Sequence, residues 1–230
     1  MNAATVKGLC HRYPDGRPGL NGVNLEVRAG SRTALVGRNG SGKTTLMLHL
    51  MGLLDGDGFI EIAGIERSRQ SMKMIRKTIG YLPAMVEYHF IMPDLLNDVM
   101  LSLPEEMALV DKKNRAMQWL ERFGLERYTG VSPLELSSGE MKRAALAGVL
   151  AREPELLLLD EPLGNLDREN SVELVSILKA QQCAMLFATH RRYLVEELAD
   201  RVAVMEDGVI IGNYPKKEAM KRPEVKELLI

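Results

Sequence analysis

Short apolar runs recur along this chain, separated by stretches whose apolar residues fall at helical spacing. Residues 32–36, 79–82, 156–159, 184–188 and 202–206 are such runs. Nearly unbroken apolar segments of this length suit strands buried on both faces of a parallel sheet. Residues 43–51, 72–77, 169–180 and 192–198 read as the helices between them, and alternation of this kind predicts a mostly parallel sheet. Residues 5–12 and 23–27 read as further strands, joined across Pro14-Asp15-Gly16-Arg17-Pro18-Gly19, and residues 59–62 alternate like a strand. Together they predict an antiparallel β region near the start. From 84 to 136 the pattern turns helical, with candidate helices at 92–101 and 114–123, the second ended by Gly124. The chain therefore divides into an α/β core, residues 1–83 and 137–230, and an inserted helical subdomain, residues 84–136. The tail from 215 to 230 is charged and reads as helical.

Candidate chemistry sits at the ends of these runs. Gly37, Arg38, Asn39, Gly40, Ser41, Gly42, Lys43, Thr44 and Thr45 lie between the apolar Thr33-Ala34-Leu35-Val36 and the apolar Leu46-Met47-Leu48. Strand, glycine loop and helix in that order form a phosphate-binding loop. Glycines let backbone N–H groups turn toward phosphate oxygens, and the helix N-terminus adds partial positive charge. Lys43 reaches the β- and γ-phosphates of a nucleotide, and the Thr44 hydroxyl ligates Mg²⁺. Four leucines precede Asp160 and Glu161, which places Asp160 at the carboxyl end of a buried strand, where α/β sheets bind ligands. Asp160 is the second candidate for the metal, and Glu161 the candidate to polarise an attacking water.

With Leu136-Ser137-Ser138-Gly139-Glu140 upstream of Asp160, the chain resembles the ATP-binding-cassette (ABC) ATPases over nearly its whole length. Tyr13 matches the aromatic residue that stacks on adenine, and residues 37–45 match Walker A. Leu136 to Glu140 match the signature, usually Leu-Ser-Gly-Gly-Gln, and residues 156–161 match Walker B with its catalytic glutamate. Asn165-Leu166-Asp167 match the D-loop, and His190 the switch histidine that contacts the γ-phosphate. The resemblance implies a RecA-like core and two cassettes facing head to tail, as a homo- or heterodimer. Each ATP would lie between one subunit's P-loop and the other's Ser137, Ser138, Gly139 and Glu140. His11-Arg12-Tyr13-Pro14-Asp15-Gly16, Leu48-His49-Leu50-Met51-Gly52-Leu53-Leu54 and Ala147-Gly148-Val149-Leu150-Ala151 are similar to ATPases of energy-coupling-factor (ECF) importers, within them the cobalt and nickel branch. That implies ATP and Mg²⁺, integral membrane coupling and substrate-binding subunits, and a place on the cytoplasmic face of the membrane, for import of a transition-metal ion or a vitamin. Another ABC importer or exporter, or a soluble or regulatory cassette with weak hydrolysis, stays open as an alternative. ECF ATPases with an extra C-terminal domain are longer than this chain.

Composition narrows the partners. The 30 basic and 31 acidic residues leave a net charge of −1, which gives no long-range attraction for nucleic acid. Hydrophobic residues at 46% are enough for a sizeable core. The N-terminus lacks the apolar region of a signal peptide, and no segment approaches the roughly 18 apolar residues of a spanning helix. Cys10 and Cys183 read as reduced core residues.

Several residues carry a second reading. Tyr13 also fits as a cap on the core edge, and Asp167 as the N-cap of the helix after it. Lys142-Arg143 reads as a solvated face, and most of Met85, Met92, Met100 and Met107 as core packing. Where the family has glutamine after residues 79–82, this chain has Ala84, which can neither ligate a metal nor bond water. Ser138 replaces a glycine, a strain if its backbone needs positive φ. Glu140 replaces the last glutamine. Residues 85–93 hold six large apolar or aromatic side chains between Pro83 and Pro93. About half are expected to pack inward, the rest to form an exposed patch for a membrane partner.

Overall fold

The apolar runs pair as their length suggests. A computed structural model describes residues 1–230. In chain order its elements begin with β1 (Asn2–Arg12), β2 (Pro18–Arg28), β3 (Arg32–Val36), α1 (Lys43–Leu50), β4 (Asp57–Ile62), β5 (Ile65–Glu66), α2 (Met72–Thr78) and β6 (Ile79–Leu82). Helices α3 (Leu95–Ser102), α4 (Leu109–Arg122) and α5 (Ser138–Ala151) follow. The chain then alternates through β7 (Leu156–Asp160), α6 (Arg168–Lys179), β8 (Ala184–Ala188), α7 (Arg192–Leu198) and β9 (Arg201–Glu206). It ends with β10 (Val209–Pro215), α8 (Lys216–Ala219) and α9 (Pro223–Glu227).

The large sheet has the order β10-β9-β3-β8-β7-β6, parallel except for the antiparallel edge strand β10. Every residue of β7 and β8 is buried, as strands covered on both faces require. A smaller antiparallel sheet, β2-β1-β4-β5, covers one side and shares its core with α1 and α2. On the other side, α3, α4 and α5 pack into the larger hydrophobic cluster with the facing side chains of β7 and β8.

Several details differ from the sequence reading, among them the start of α4, expected at 114 and found at Leu109. The helix expected over 92–101 starts at Leu95. Asp94 caps it by accepting from the Asn97 N–H at 2.9 Å, and Asp98 holds the chain before it by accepting from the Ile91 and Met92 N–H groups. Strand β10 was not read, because Gly212 and Asn213 interrupt its apolar pattern on an edge whose residues are all half-buried or exposed. Cys10 and Cys183 are free thiols at half-buried positions; Cys183 packs against the larger hydrophobic cluster, and Cys10 lies outside both cores. Gly124 does end α4, with φ of +64°.

The two phrases around His11 and His49 meet in space. His49 on α1 is fully buried, and its ring packs edge-on against His11 with centroids 4.8 Å apart. Neither His49 nitrogen has a partner, while His11 Nδ1 lies 3.1 Å from the Asp55 carbonyl. Burial, helped by the neighbouring His11 and Arg67 and opposed by Asp55, lowers the His49 pKa to about 4. The folded state thus resists protonation of His49. Its contribution to stability is complete above the unfolded pKa near 6.5 and is lost as pH falls from there toward 4. Urea unfolding at pH 7.5 and pH 5 should therefore give a steeper loss for the parent than for His49→Gln, which cannot titrate. Equal losses in the two proteins would show that His49 does not set this dependence.

Candidate nucleotide and hydrolysis site

Strand β3 ends at Val36, and α1 begins at Lys43. The loop between them bends at Gly40 and Gly42, with φ of +80° and +108°. Gly37 has no room for a side chain, because a Cβ would run into the Met205 carbonyl. Lys43 is buried, and its Nζ donates to the Gly37 and Arg38 carbonyls at 2.7 and 2.9 Å. Burial lowers the Lys43 pKa, against the pull of Glu161 and Asp160. The Ser41 hydroxyl is buried in the same loop with no partner, whereas Arg38, Asn39 and Gly40 are exposed.

Strand β8 lies between β3 and β7, and Ala188 is in register with both Leu35 and Asp160. The carboxyl ends of the three strands are therefore level. Thr44 Oγ1 donates to Asp160 Oδ2 at 2.6 Å. Asp160 is buried, and burial raises its pKa, while the Thr44 hydrogen bond and the Lys43 and Lys142 charges pull it back. Glu161 follows with φ of +46°, a left-handed conformation that costs a non-glycine residue about 1–2 kcal/mol. That turn directs its carboxylate to His190 Nδ1 at 2.8 Å and places it 3.4 Å from the Thr189 hydroxyl, which donates to it. An ionised carboxylate only accepts, so Nδ1 of His190 carries the proton in this pair. Asn165 is left-handed as well, at +61°, and Asp167 caps α6 by accepting from the Asn170 N–H at 2.8 Å.

The Ser137–Glu140 stretch is placed apart from that centre, whereas Tyr13 touches Thr45 at the end of the 37–45 stretch. The Tyr13 hydroxyl is 2.7 Å from Thr45 Oγ1, and its ring packs edge-on against His11. Ser137 and Glu140 form a capping box at the start of α5. Glu140 also accepts from the Tyr128 hydroxyl, and that bond, followed by the one to Ser137, lowers its pKa to about 2. Ser138 opens α5 with helical backbone, so no positive φ strains it.

Sequence reasoning missed two residues at this site and misplaced others. Lys142 is not on a solvated face: it is 3% exposed, and its ammonium donates to the Glu161 and Gly164 carbonyls. The signal was its place on the stripe Ala145, Leu146, Val149, three, four and seven residues on, all buried. Tyr81 on β6 and Ala84 share the wall of a cavity of about 730 Å³ with Thr44 and Asp160. Burial first, then the Asp160 charge, pushes the Tyr81 phenol up to about 12, so it remains an O–H group. Of the six large side chains over 85–93, Val86 is buried and Phe90 packs against the larger core. Met85, Tyr88 and Ile91 are 65%, 85% and 77% exposed, so Met85 is not core packing.

No cluster of three or more His, Cys, Asp or Glu side chains is present to cage a metal. The Thr44 hydroxyl and Asp160 carboxylate are instead a pair of hard oxygen donors, which suits Mg²⁺ shared with substrate phosphates.

Comparison with known proteins shows the family. Residues 20–164 match the family model described as ABC transporter. A putative ABC transporter ATP-binding protein of Streptomyces avermitilis is 38% identical over 90% of this chain and 80% of its own length. The energy-coupling factor transporter ATP-binding protein EcfA of Methanothermobacter thermautotrophicus is 32% identical over 96% of this chain and 73% of its own. Among solved structures, cbiO1 of Clostridium perfringens, part of the ABC transporter complex cbiONQ, superposes with a TM-score of 0.84. It is 30% identical, over 98% of this chain and 93% of that one. No helix here is long and apolar enough to cross a membrane. The chain belongs to the ABC transporter family and is an ABC ATPase.

Proposed function

We propose that this chain is the ATP-hydrolysing subunit of an ECF-type importer, working as a head-to-tail pair of cassettes on the cytoplasmic face of a membrane, for a transition-metal ion such as cobalt or nickel, or a vitamin. The observation that carries the reading is the level row of Thr44, Asp160, Glu161 and His190 beside the glycine loop. The ECF assignment is supported by the EcfA relative and the cbiO1 likeness, and by the packing of the two ECF-like phrases at His11 and His49.

In this reading Tyr13 stacks on adenine, and the N–H groups of residues 37–45 cradle the phosphates. Lys43 leaves its two carbonyl partners for the β- and γ-phosphates, where its charge is compensated better. Thr44 and Asp160 hold Mg²⁺, which when bound supplies further neutralisation of the phosphate charge. Glu161 accepts a proton from the water whose oxygen attacks the γ-phosphorus. The bond to the bridging oxygen breaks, and ADP leaves with the electron pair. His190 keeps the Glu161 carboxylate aimed and, as the switch histidine, contacts the γ-phosphate. Ser137, Ser138 and Gly139 of the second cassette close the site, with Glu140 fixing their geometry and Asp167 lying along the dimer interface.

Residues 84–136 form the helical subdomain, and Met85, Tyr88 and Ile91 are the part of it offered to the membrane subunits. Exposed side chains of this size beside a cavity that reaches Asp160 link the docking surface to the hydrolysis site.

Glu161→Gln should bind ATP as the parent does and hydrolyse it at least 100-fold more slowly, because an amide takes no proton. Size-exclusion chromatography with Mg-ATP should then show a trapped dimer. Turnover at the parent rate would take the water-activating role away from Glu161.

Met85→Ala combined with Tyr88→Ala should weaken assembly with the membrane subunits about tenfold, roughly 1.4 kcal/mol, and leave nucleotide affinity of the free chain unchanged. The check is a pull-down titration alongside ATP binding. Normal assembly would move the docking surface elsewhere.

A further inference from the structure

Lys142 carries a charge where packing alone asks for none. It sits in the second turn of α5, on a face otherwise made of Ala145, Leu146 and Val149, and is 3% exposed. An ammonium in such a place loses most of its hydration, and burial lowers its pKa. What compensates it is local. Nζ donates to the Glu161 carbonyl at 3.0 Å and the Gly164 carbonyl at 2.9 Å, and the Glu161, Glu87 and Asp160 charges favour it, Glu161 most.

Those two carbonyls bracket the turn that leaves β7. Its ends, Glu161 and Asn165, are both left-handed without being glycine. Inside it, the Gly164 N–H donates to the same Glu161 carbonyl at 2.9 Å. A Cβ on Gly164 would lie 3.2 Å from that carbonyl oxygen and 3.5 Å from Lys142 Nζ, so glycine keeps the approach open. The turn is thus held from outside, by a side chain of another element, in a conformation its residues do not favour by themselves. Without the ammonium, the Glu161 carbonyl keeps one donor and the Gly164 carbonyl has none among the hydrogen bonds present.

We propose that Lys142 is a positioning residue for ATP hydrolysis, clamping the Glu161–Gly164 turn so that the Glu161 carboxylate stays on His190 and in line with the attacking water. The inference rests on the reading of Glu161 given above. It has a consequence for the pair of cassettes. Ser137 caps α5 and Ser138 opens it, so the helix whose tip closes the partner's site also holds its own subunit's water-activating turn. Movement of α5 on the partner's nucleotide is passed to Glu161 through a side chain one turn along.

The test is steady-state and single-turnover ATP hydrolysis by the full chain, with nucleotide affinity and thermal unfolding measured in parallel. Lys142→Met should lower kcat at least tenfold while KM and ATP affinity stay within twofold of the parent. Lys142→Arg, which still reaches two carbonyls, should recover at least a third of the parent kcat. If the methionine variant does not fold, Lys142→Gln, with an amide and no charge, carries the same expectation. In a Glu161→Gln background, Lys142→Met should add no further loss to the residual single-turnover rate. Parent-like kcat in a folded methionine or glutamine variant overturns the proposal, as does a full tenfold loss repeated in the Glu161→Gln background. If Glu161→Gln itself turns over at the parent rate, the reading of Glu161 fails instead, whatever Lys142 does.

Discussion

A carboxylate buried at the end of a buried strand is the constraint around which this structure is arranged. All five residues of β7 are buried, and the last is Asp160. Leaving that charge unpaired in the core is too costly for a fold whose margin is about 5–15 kcal/mol. Its compensation comes from three groups on two helices, α1 and α5. The Thr44 hydroxyl on α1 donates to it, Lys43 lies beside it, and Lys142 approaches from α5. Burial nevertheless raises its pKa, so these groups compensate the charge only in part. In the proposed mechanism, this residual demand for positive charge is what makes the site a place for a magnesium ion.

The same neighbourhood stores backbone strain. Glu161 and Asn165 are both left-handed without being glycine. Strain of this kind persists only where surrounding packing imposes it. Here the parallel register β3-β8-β7 imposes it from below, and Lys142 from the side. The two helices that open toward the site, α1 and α5, therefore have unlike tasks. Helix α1 presents its N-terminus to the glycine loop, whereas α5 presents a capped tip outward and a buried ammonium inward.

Much of the fold was legible because its physics is local. Strands β3, β6 and β8 run from the first to the last residue of apolar segments that turn or polar residues bound. The segments of β7 and β8 read as strands buried on both faces, and their pairing brings His190 to Glu161. Asp167 capped its helix as its residue type suggests. What stayed illegible depends on tertiary contact or on half-buried edges. Strand β10 has Gly212 and Asn213 inside it and no buried residue to mark its face. Lys142 looked solvated because lysine is rarely buried, and only the helical stripe around it said otherwise. The division of 85–93 into inward Val86 and Phe90 and outward Met85, Tyr88 and Ile91 has no period to reveal it, since the segment is neither helix nor strand. The phrases at His11 and His49 were visible as words, but their edge-on packing was not.

Asp160→Asn tests the organising role of this carboxylate most directly, with ATP binding measured by calorimetry in EDTA and in Mg²⁺. The amide keeps an acceptor for the Thr44 hydroxyl and loses the charge. Affinity in EDTA is expected to stay within about twofold of the parent, and the gain in affinity on adding Mg²⁺ to disappear. A gain with Mg²⁺ as large in the variant as in the parent would contradict it, and would place the metal site away from Asp160.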